Sequence, residues 1–205
     1  MKRIIAIILL IGSTVFNTVA HNAKIATFTL RDTGAGWLVE MNFAQAGVDA
    51  TMIEIHGSEK LENLDKKSYQ NLIVEYVKSN FNLKVDGEVI KLKNGGIMLG
   101  SHQTDLKFVL PEMPPHPGEA QIYIPMFGNT YNHTNLFRIY RGGKNITKFF
   151  LSEDNGFNVD LNFTPIGIVA VEKEPRADQF FMLSGGGLML AIVMVIAFSR
   201  KKLKA

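Results

Sequence analysis

The apolar segment from Phe180 to Phe198 constrains the fold of this chain more than any other feature. It runs for nineteen residues without a charged side chain. As a helix rising about 1.5 Å per residue, it would cross most of the ~30 Å hydrocarbon layer of a bilayer. Four basic residues stand between positions 200 and 204, and such residues stay on the cytoplasmic side of a membrane. The pattern predicts a transmembrane helix over 180–198 and a basic cytoplasmic tail over 199–205.

A second apolar segment opens the chain. Lys2 and Arg3 precede the run from Ile4 to Leu10, and small residues lead up to Ala20. A basic start, a short apolar run and a small-residue end are typical of a secretory signal peptide. We therefore expect a signal peptide over 1–20, an exported domain over 21–171 and a polar stalk over 172–179. The chain would be a single-pass protein of a bacterial cell membrane, with its N-terminal domain periplasmic or extracellular.

The C-terminal segment has two interpretations. The glycines Gly185–Gly187, followed by an apolar helix and a basic end, also resemble bacterial sorting tails that a membrane protease removes. The apolar residues Phe180–Leu183 before these glycines favour a retained anchor, with the lipid bilayer as the partner of Phe180–Phe198. The chain has no cysteine, so its exported domain must be held together by burial alone, which favours a bacterial envelope protein.

The formal net charge of +3 does not describe the exported domain. Two of the 22 basic residues lie in the signal peptide and four in the tail, whereas all 19 acidic residues lie between Asp32 and Asp178. The exported domain and its stalk therefore carry 16 basic and 19 acidic residues, a net charge of −3. Because nucleic-acid binding requires a positive surface, we expect no nucleic-acid partner.

Alternation of apolar and polar residues predicts strands through most of the exported domain. A glycine turn between the first two strands predicts a hairpin, and Asp86-Gly87 between alternating residues predicts another. The expected strands are Lys24–Arg31, Trp37–Phe43, Leu83–Leu92 (as a hairpin), Leu106–Leu110, Ala120–Pro125, Asn135–Tyr140, Ile146–Leu151 and Phe157–Phe163. The proline-rich segment Pro111–Gly118 is expected to be a loop.

One stretch has helical periodicity instead. Apolar residues recur three and four positions apart from Tyr69 to Phe81, and Ser68 is the predicted N-cap. A weaker helical turn is expected at Glu59–Leu64. The expected fold class is mainly β: an immunoglobulin-like β-sandwich with one inserted amphipathic helix, plus one C-terminal transmembrane helix.

Aromatic residues and glycines add further expectations. The pairs Gly95-Gly96 and Gly142-Gly143 are interpreted as turn glycines, as are Gly34 and Gly36. The aromatic residues in the predicted strands are expected to lie in the core, and these are Phe28, Trp37, Phe43, Phe108, Phe137 and Phe150.

The sequence does not indicate an enzyme. It contains no cysteine nucleophile, no G-x-S-x-G and no S-x-x-K. Acid–base pairs are conceivable at Glu112 and Glu119 or at Glu153 and Asp154, but carboxylates at predicted turns are far more often solvated surface residues. No catalytic residue is therefore assigned.

Metal binding has one specific candidate. His21 would become the first residue of the mature chain, where its amine and ring nitrogen can bind one metal ion together. Copper(II) favours nitrogen ligands of this kind, and His102 and His133 are the candidates to complete the site. No two histidines show the spacing of a preformed site, and the loop around His133 is also typical of an ordinary polar turn.

The segment from His21 to about Asp160 resembles the exported β-rich domains of bacterial HupE/UreJ-type accessory membrane proteins. The resemblance depends on Ala20-His21 at the cleavage point, on the early Leu30-Arg31 strand with Trp37 after a glycine turn, on the helix Tyr69–Phe81 and on the pattern Leu83-x-Val-Asp-Gly-Glu88. The later Asn135-Leu136 with Arg141-Gly-Gly-Lys-Asn-Ile146 also fits it. The resemblance implies an envelope β-domain, and it gives the handling of nickel or another metal as a secondary expectation. Those relatives carry several spans and this chain has one, so transport does not carry over.

Two functions are therefore expected from the sequence. The first is a protein-interaction or accessory module, exported and anchored by one span, whose partner is another envelope protein. The alternative is a periplasmic copper- or nickel-binding accessory protein that uses the mature N-terminal histidine; no other cofactor is expected.

Overall fold

A computed structural model describes residues 24–141 and 145–171. The predicted signal peptide, the turn at Gly142-Gly143, the stalk and the predicted transmembrane helix over 180–198 lie outside the described residues. Within the described ranges, no helix is both long enough and apolar enough to cross a membrane.

The described chain is mainly β, as predicted from its alternating residues. Its strands are β1 (Ile25–Asp32), β2 (Trp37–Ala44), β3 (Asn82–Val85), β4 (Glu88–Val89), β5 (Lys93–Leu99), β6 (Gln103–Leu110), β7 (Glu119–Tyr123), β8 (Thr134–Arg141), β9 (Asn145–Leu151), β10 (Asn158–Thr164) and β11 (Gly167–Ala170). The segment between β6 and β7 is the predicted proline-rich loop. A 3₁₀ turn, Glu153–Asn155, connects β9 to β10.

The strands form two sheets. One has six strands in the order β5-β6-β2-β1-β8-β9, and the other has five in the order β11-β10-β7-β3-β4. Most neighbours are antiparallel, but β1 and β8 pair in parallel, with Thr29 beside Arg138. The Asp86-Gly87 hairpin is confirmed: both residues have positive φ, of 50° and 87°, as a two-residue hairpin turn of type I′ requires.

The expectation of one inserted helix is wrong. Three helices stand between β2 and β3 in the described chain: α1 (Gln45–His56), α2 (Ser58–Glu62) and α3 (Lys66–Asn80). The short α2 corresponds to the predicted helical turn, but α1 has no counterpart in the prediction. It buries Val48 and Met52 while Ile53 and Ile55 stay exposed, so its apolar residues do not form the single stripe that marks an amphipathic helix.

The predicted helix is confirmed as α3, but its N-cap is Asp65 rather than Ser68. The Asp65 carboxylate accepts hydrogen bonds from the backbone N–H groups of Lys67 (2.8 Å) and Ser68 (3.0 Å). Since an N-cap side chain satisfies the first free N–H groups of a helix, the helix begins three residues before the predicted position. Its inward face buries Ile73 and Val77.

Residues from both sheets and from the helices fill one hydrophobic core. The indole of Trp37 on β2 meets Phe163 on β10 of the other sheet edge to face, with ring centroids 6.4 Å apart. The prediction of a buried core position is confirmed for most of the aromatic set, namely Phe28, Trp37, Phe43, Phe108 and Phe137.

Phe150 is the exception, since 64% of its surface is exposed. The register pairs Phe149 with Phe137, which faces the core, and pairs Phe150 with Leu136 on the outer face. Three successive apolar residues, Phe149 to Leu151, do not reveal which of them faces inward, because a shift of one residue reverses the face of every side chain.

The pair Gly95-Gly96 also differs from its prediction, because it lies inside strand β5 rather than in a turn. The pairing of β5 with β6 is irregular between Lys93 and Gly96. A Cβ atom on Gly95 would overlap the ring of Phe108 and would lie 2.7 Å from the carbonyl oxygen of Lys107. The glycine therefore permits a close approach of two strands.

Candidate functional site: a cleft on the six-stranded sheet

The outer face of the six-stranded sheet, which points away from the core, carries a cleft of about 1000 Å³. Strands β1, β2, β5, β6 and β8 all contribute side chains to it. The polar and charged residues that line it are Thr27, Thr29, Arg31, Glu40, Asn42, Asn94, Asp105, Lys107, Arg138 and Tyr140. The exposed side chain of Met98 lies among the lining residues.

Strand register brings these residues together in rows. The central row crosses the sheet through Gly96, Lys107, Glu40, Thr29, Arg138 and Lys148, each paired with the next on a neighbouring strand. Residues directly opposite on paired strands have Cβ atoms about 4.5–5.5 Å apart. The central row thus places one carboxylate and three cationic groups in a single line across the face.

Glu40 is the acidic residue of the central row. Its carboxylate lies 3.2 Å from Nη2 of Arg31 and 3.2 Å from Nζ of Lys107, and the guanidinium of Arg31 also lies over the ring of Tyr140, 4.4 Å from its centroid. Partial burial raises the pKa of Glu40, but the hydrogen bonds from Arg31 and Lys107 outweigh it and lower the pKa below its ordinary value. Glu40 is therefore ionised at neutral pH, unlike a general acid, whose pKa must lie near the working pH.

Asp105 is the second carboxylate in the cleft, and neutral amides hold it. Nδ2 of Asn42 donates to its Oδ1 at 2.7 Å, and Nε2 of Gln103 donates to the same oxygen at 2.7 Å. The two amides orient the carboxylate but supply no opposite charge to it. Glu40 and Asp105 both lie on the half of the cleft formed by β2 and β6.

Arg138 lies on the other half and has different surroundings. Its Nε is buried, and the structure gives it no hydrogen-bond partner anywhere in residues 24–141 and 145–171. On one side stands Thr29, only 8% exposed; on the other, its cross-strand partner is Lys148. Like charges directly opposite on paired strands repel each other, so this half of the face holds positive charge that Glu40 does not neutralise.

His133 belongs to the protein interior and not to this cleft. It is 5% exposed, its ring packs 5.4 Å from that of Phe127, and its Nε2 lies 2.8 Å from Oδ1 of Asn135. Burial lowers the pKa of His133, and the hydrogen bond to Asn135 only partly offsets that effect. His133 is therefore neutral at pH 7.

The structure does not bring His102 and His133, the two predicted metal ligands that it describes, together. His102 is exposed in the turn between β5 and β6, whereas His133 precedes β8, three strands away in the same sheet. Three strand spacings correspond to roughly 14 Å, and His21 lies outside the described residues. Within the part of the chain that is described, no three histidine or acidic side chains are grouped so that they could hold a metal ion.

Sequence reasoning did not find the cleft. Thr27 and Thr29 line the cleft from the outward face of β1, but an outward polar face is what any half-exposed strand shows. Thr29 and Arg138 are more than a hundred positions apart in the chain, and nothing local indicates that β1 and β8 pair. No protein-family model matches this chain, and no curated protein sequence matches it either.

Proposed function

We propose that this chain is a single-span bacterial envelope protein whose exported β-domain binds another envelope protein through the cleft on its six-stranded sheet. The single observation that carries the proposal is the cleft itself: about 1000 Å³ in volume, lined by ionised groups of both signs. A recess of this size with oriented polar groups is typical of a recognition surface.

The charge arrangement supports recognition. Arg31 and Lys107 hold the Glu40 carboxylate between them, and two amides orient the Asp105 carboxylate. Groups held in this way need little reordering when a partner binds, which reduces the entropic cost of association. Complementary charges also select one partner over others.

The membrane anchor over 180–198, the signal peptide and the immunoglobulin-like classification of the sandwich are parts of the same proposal. The anchor and the signal peptide are supported by their apolar lengths and flanking charges. The classification is supported by two mostly antiparallel sheets packed around one core.

Photocrosslinking in living cells tests the proposal. A photoreactive amino acid replaces Met98, which is 65% exposed at the cleft, in the full chain. The matched control places it at Tyr123, which is exposed on β7 of the other sheet. We expect one protein, identified by mass spectrometry, to crosslink at Met98 and not at Tyr123.

A second variant makes the test specific. Val109→Arg introduces a long side chain at a half-exposed position that lines the cleft, and it should abolish the Met98 adduct. If the same bystander proteins crosslink at both positions, or if Val109→Arg leaves the Met98 adduct unchanged, the cleft is not the binding surface.

A further inference from the structure

We propose that the partner of this cleft presents an acidic segment whose carboxylates pair with Arg138 and Lys148; this inference rests on the proposed function. Arg138 is the central residue of this arrangement. Its guanidinium carries donors in a fixed planar fork that fits a carboxylate with two parallel hydrogen bonds. The buried Nε of Arg138 has no hydrogen-bond partner among the described residues, so one donor of this guanidinium is unsatisfied.

The charge balance around Arg138 favours an anion. Arg31, Lys107 and Arg138 face two carboxylates in the cleft, and Lys148 adds a further positive charge beside Arg138. Both carboxylates lie on β2 and β6, and Glu40 already pairs with Arg31 on β1 and with Lys107 on β6. The part of the face formed by Arg138 on β8 and Lys148 on β9 is therefore positive, although the exported domain and its stalk together carry a net charge of −3.

The outer face of β8 and β9 also has apolar positions on both sides of the charged pair. Arg138 and Lys148 stand between the pair Leu136–Phe150 and the pair Tyr140–Ile146. Of these, Phe150 is 64% exposed and Ile146 is 47% exposed. Two adjacent cationic residues with exposed apolar residues on both sides fit a peptide whose acidic residues are flanked by apolar ones. Burial of the apolar side chains would supply binding affinity, and charge complementarity would select this peptide over others.

The recessed position of Arg138 favours a protein segment over a membrane surface. A lipid headgroup layer meets side chains that protrude, whereas Nε of Arg138 is buried and its neighbour Thr29 is almost fully covered. A carboxylate on a flexible side chain can enter the cleft and reach the guanidinium. Binding to anionic vesicles that depends on Arg138 is therefore the outcome that would contradict the inference.

The test uses the full chain in zwitterionic detergent micelles and labelled poly-L-glutamate as the probe. We expect Arg138→Gln to weaken binding at least about tenfold, as the loss of a charge-assisted bidentate pair does. Arg138→Lys should retain part of the affinity, because it keeps the charge and loses the fork. Lys148→Gln should weaken binding less, and wild-type binding should fall as salt is added.

Lys84→Gln is the matched control, since Lys84 is an exposed lysine on β3 of the other sheet; it should bind as the wild type does. The inference is overturned if Arg138→Gln and Lys148→Gln both bind poly-L-glutamate like the wild type. It is also overturned if phosphatidylglycerol vesicles bind more tightly than poly-L-glutamate and show the same dependence on Arg138.

Failure of this inference is distinguishable from failure of the proposed function. If the Met98 adduct forms in cells and persists in the Arg138→Gln background, the cleft binds a partner, but not through acidic residues at Arg138. If no specific adduct forms at Met98, the proposed function fails whatever the poly-L-glutamate result.

Discussion

The ring Nε2 of His133, the residue just before β8, lies 2.8 Å from Oδ1 of Asn135 within that strand, and both residues are buried. The amide nitrogen of Asn135 donates to the carbonyl oxygens of Ile124 (2.8 Å) and Met126 (3.1 Å). With both amide hydrogens directed at carbonyls, Oδ1 is the acceptor, so Nε2 of His133 carries the hydrogen. The neutral imidazole therefore helps to join the start of β8 to the chain that follows β7.

This arrangement predicts that the protein loses stability between neutral and mildly acidic pH. Burial lowers the folded-state pKa of His133 below the ordinary 6.5, so the unfolded chain binds a proton there before the folded chain does. The free energy of unfolding should therefore decrease as the pH falls from 6.5 towards the folded pKa. The loss should be about 1.4 kcal/mol for each unit of pKa difference.

Urea unfolding of the full chain in detergent micelles at pH 7.5 and 5.5 measures this loss. His133→Gln keeps an amide donor near Nε2 and cannot titrate, so its stability should change much less over that range. Glu40 and Glu112 have lowered pKa values, so their stabilisation is lost below pH 4.5, outside the range tested. Equal pH dependence of the variant and the wild type would contradict the prediction.

Gly95→Ala should destabilise the protein strongly, and Gly96→Ala should not. A methyl group on Gly95 would overlap the Phe108 ring and crowd the Lys107 carbonyl oxygen, at a cost of about 1–3 kcal/mol for overpacking. No atom of the described chain, apart from the glycine's immediate neighbours, lies within 4 Å of a methyl group on Gly96. For the control Gly96→Ala we expect the free energy of unfolding to change by no more than about 0.5 kcal/mol. Similar urea unfolding midpoints for the two variants would show that Gly95 is not closely packed against Phe108.

Asp65→Ala should destabilise helix α3 more than Ser68→Ala does. Asp65 accepts hydrogen bonds from two backbone N–H groups at the start of the helix, while the Ser68 hydroxyl donates only to Asp65 itself, at 2.8 Å. We expect the fall in urea midpoint to be at least about twice as large for Asp65→Ala. The opposite order would assign the N-cap to Ser68.

Copper binding at the mature N-terminus is a separate expectation that depends on His21. If cleavage follows Ala20, the free amine and the imidazole of His21 bind copper(II) together. Calorimetry on the mature full chain should then show binding at least about tenfold tighter than on a variant that keeps one extra residue before His21. Intact mass establishes beforehand whether the chain begins at His21 and whether the segment after Phe180 is retained. Equal, weak binding by both proteins would remove the metal-binding alternative.

The sequence pattern was sufficient to predict those strands and helices in which buried and exposed side chains alternate with a regular period. Alternation around Phe28 and Trp37 identified β1 and β2, and the period of Ile73 and Val77 identified α3. It failed where apolar side chains do not follow one face, as in α1, and where they are consecutive, as at Phe149 and Phe150. In both places the exposed side chains are apolar, so hydrophobicity alone does not report which side is buried.

The sequence by itself determined the mainly β character of the described domain, its acidic charge balance, the Asp86-Gly87 hairpin and the amphipathic helix, because each depends on neighbouring residues only. The tertiary structure alone decided that β1 pairs with β8. That pairing places Thr29 between Glu40 and Arg138, and it depends on the burial of a whole sheet rather than on any local preference. The cleft follows from that long-range register, and so does the position of the Arg138 Nε, which has no hydrogen-bond partner among the described residues.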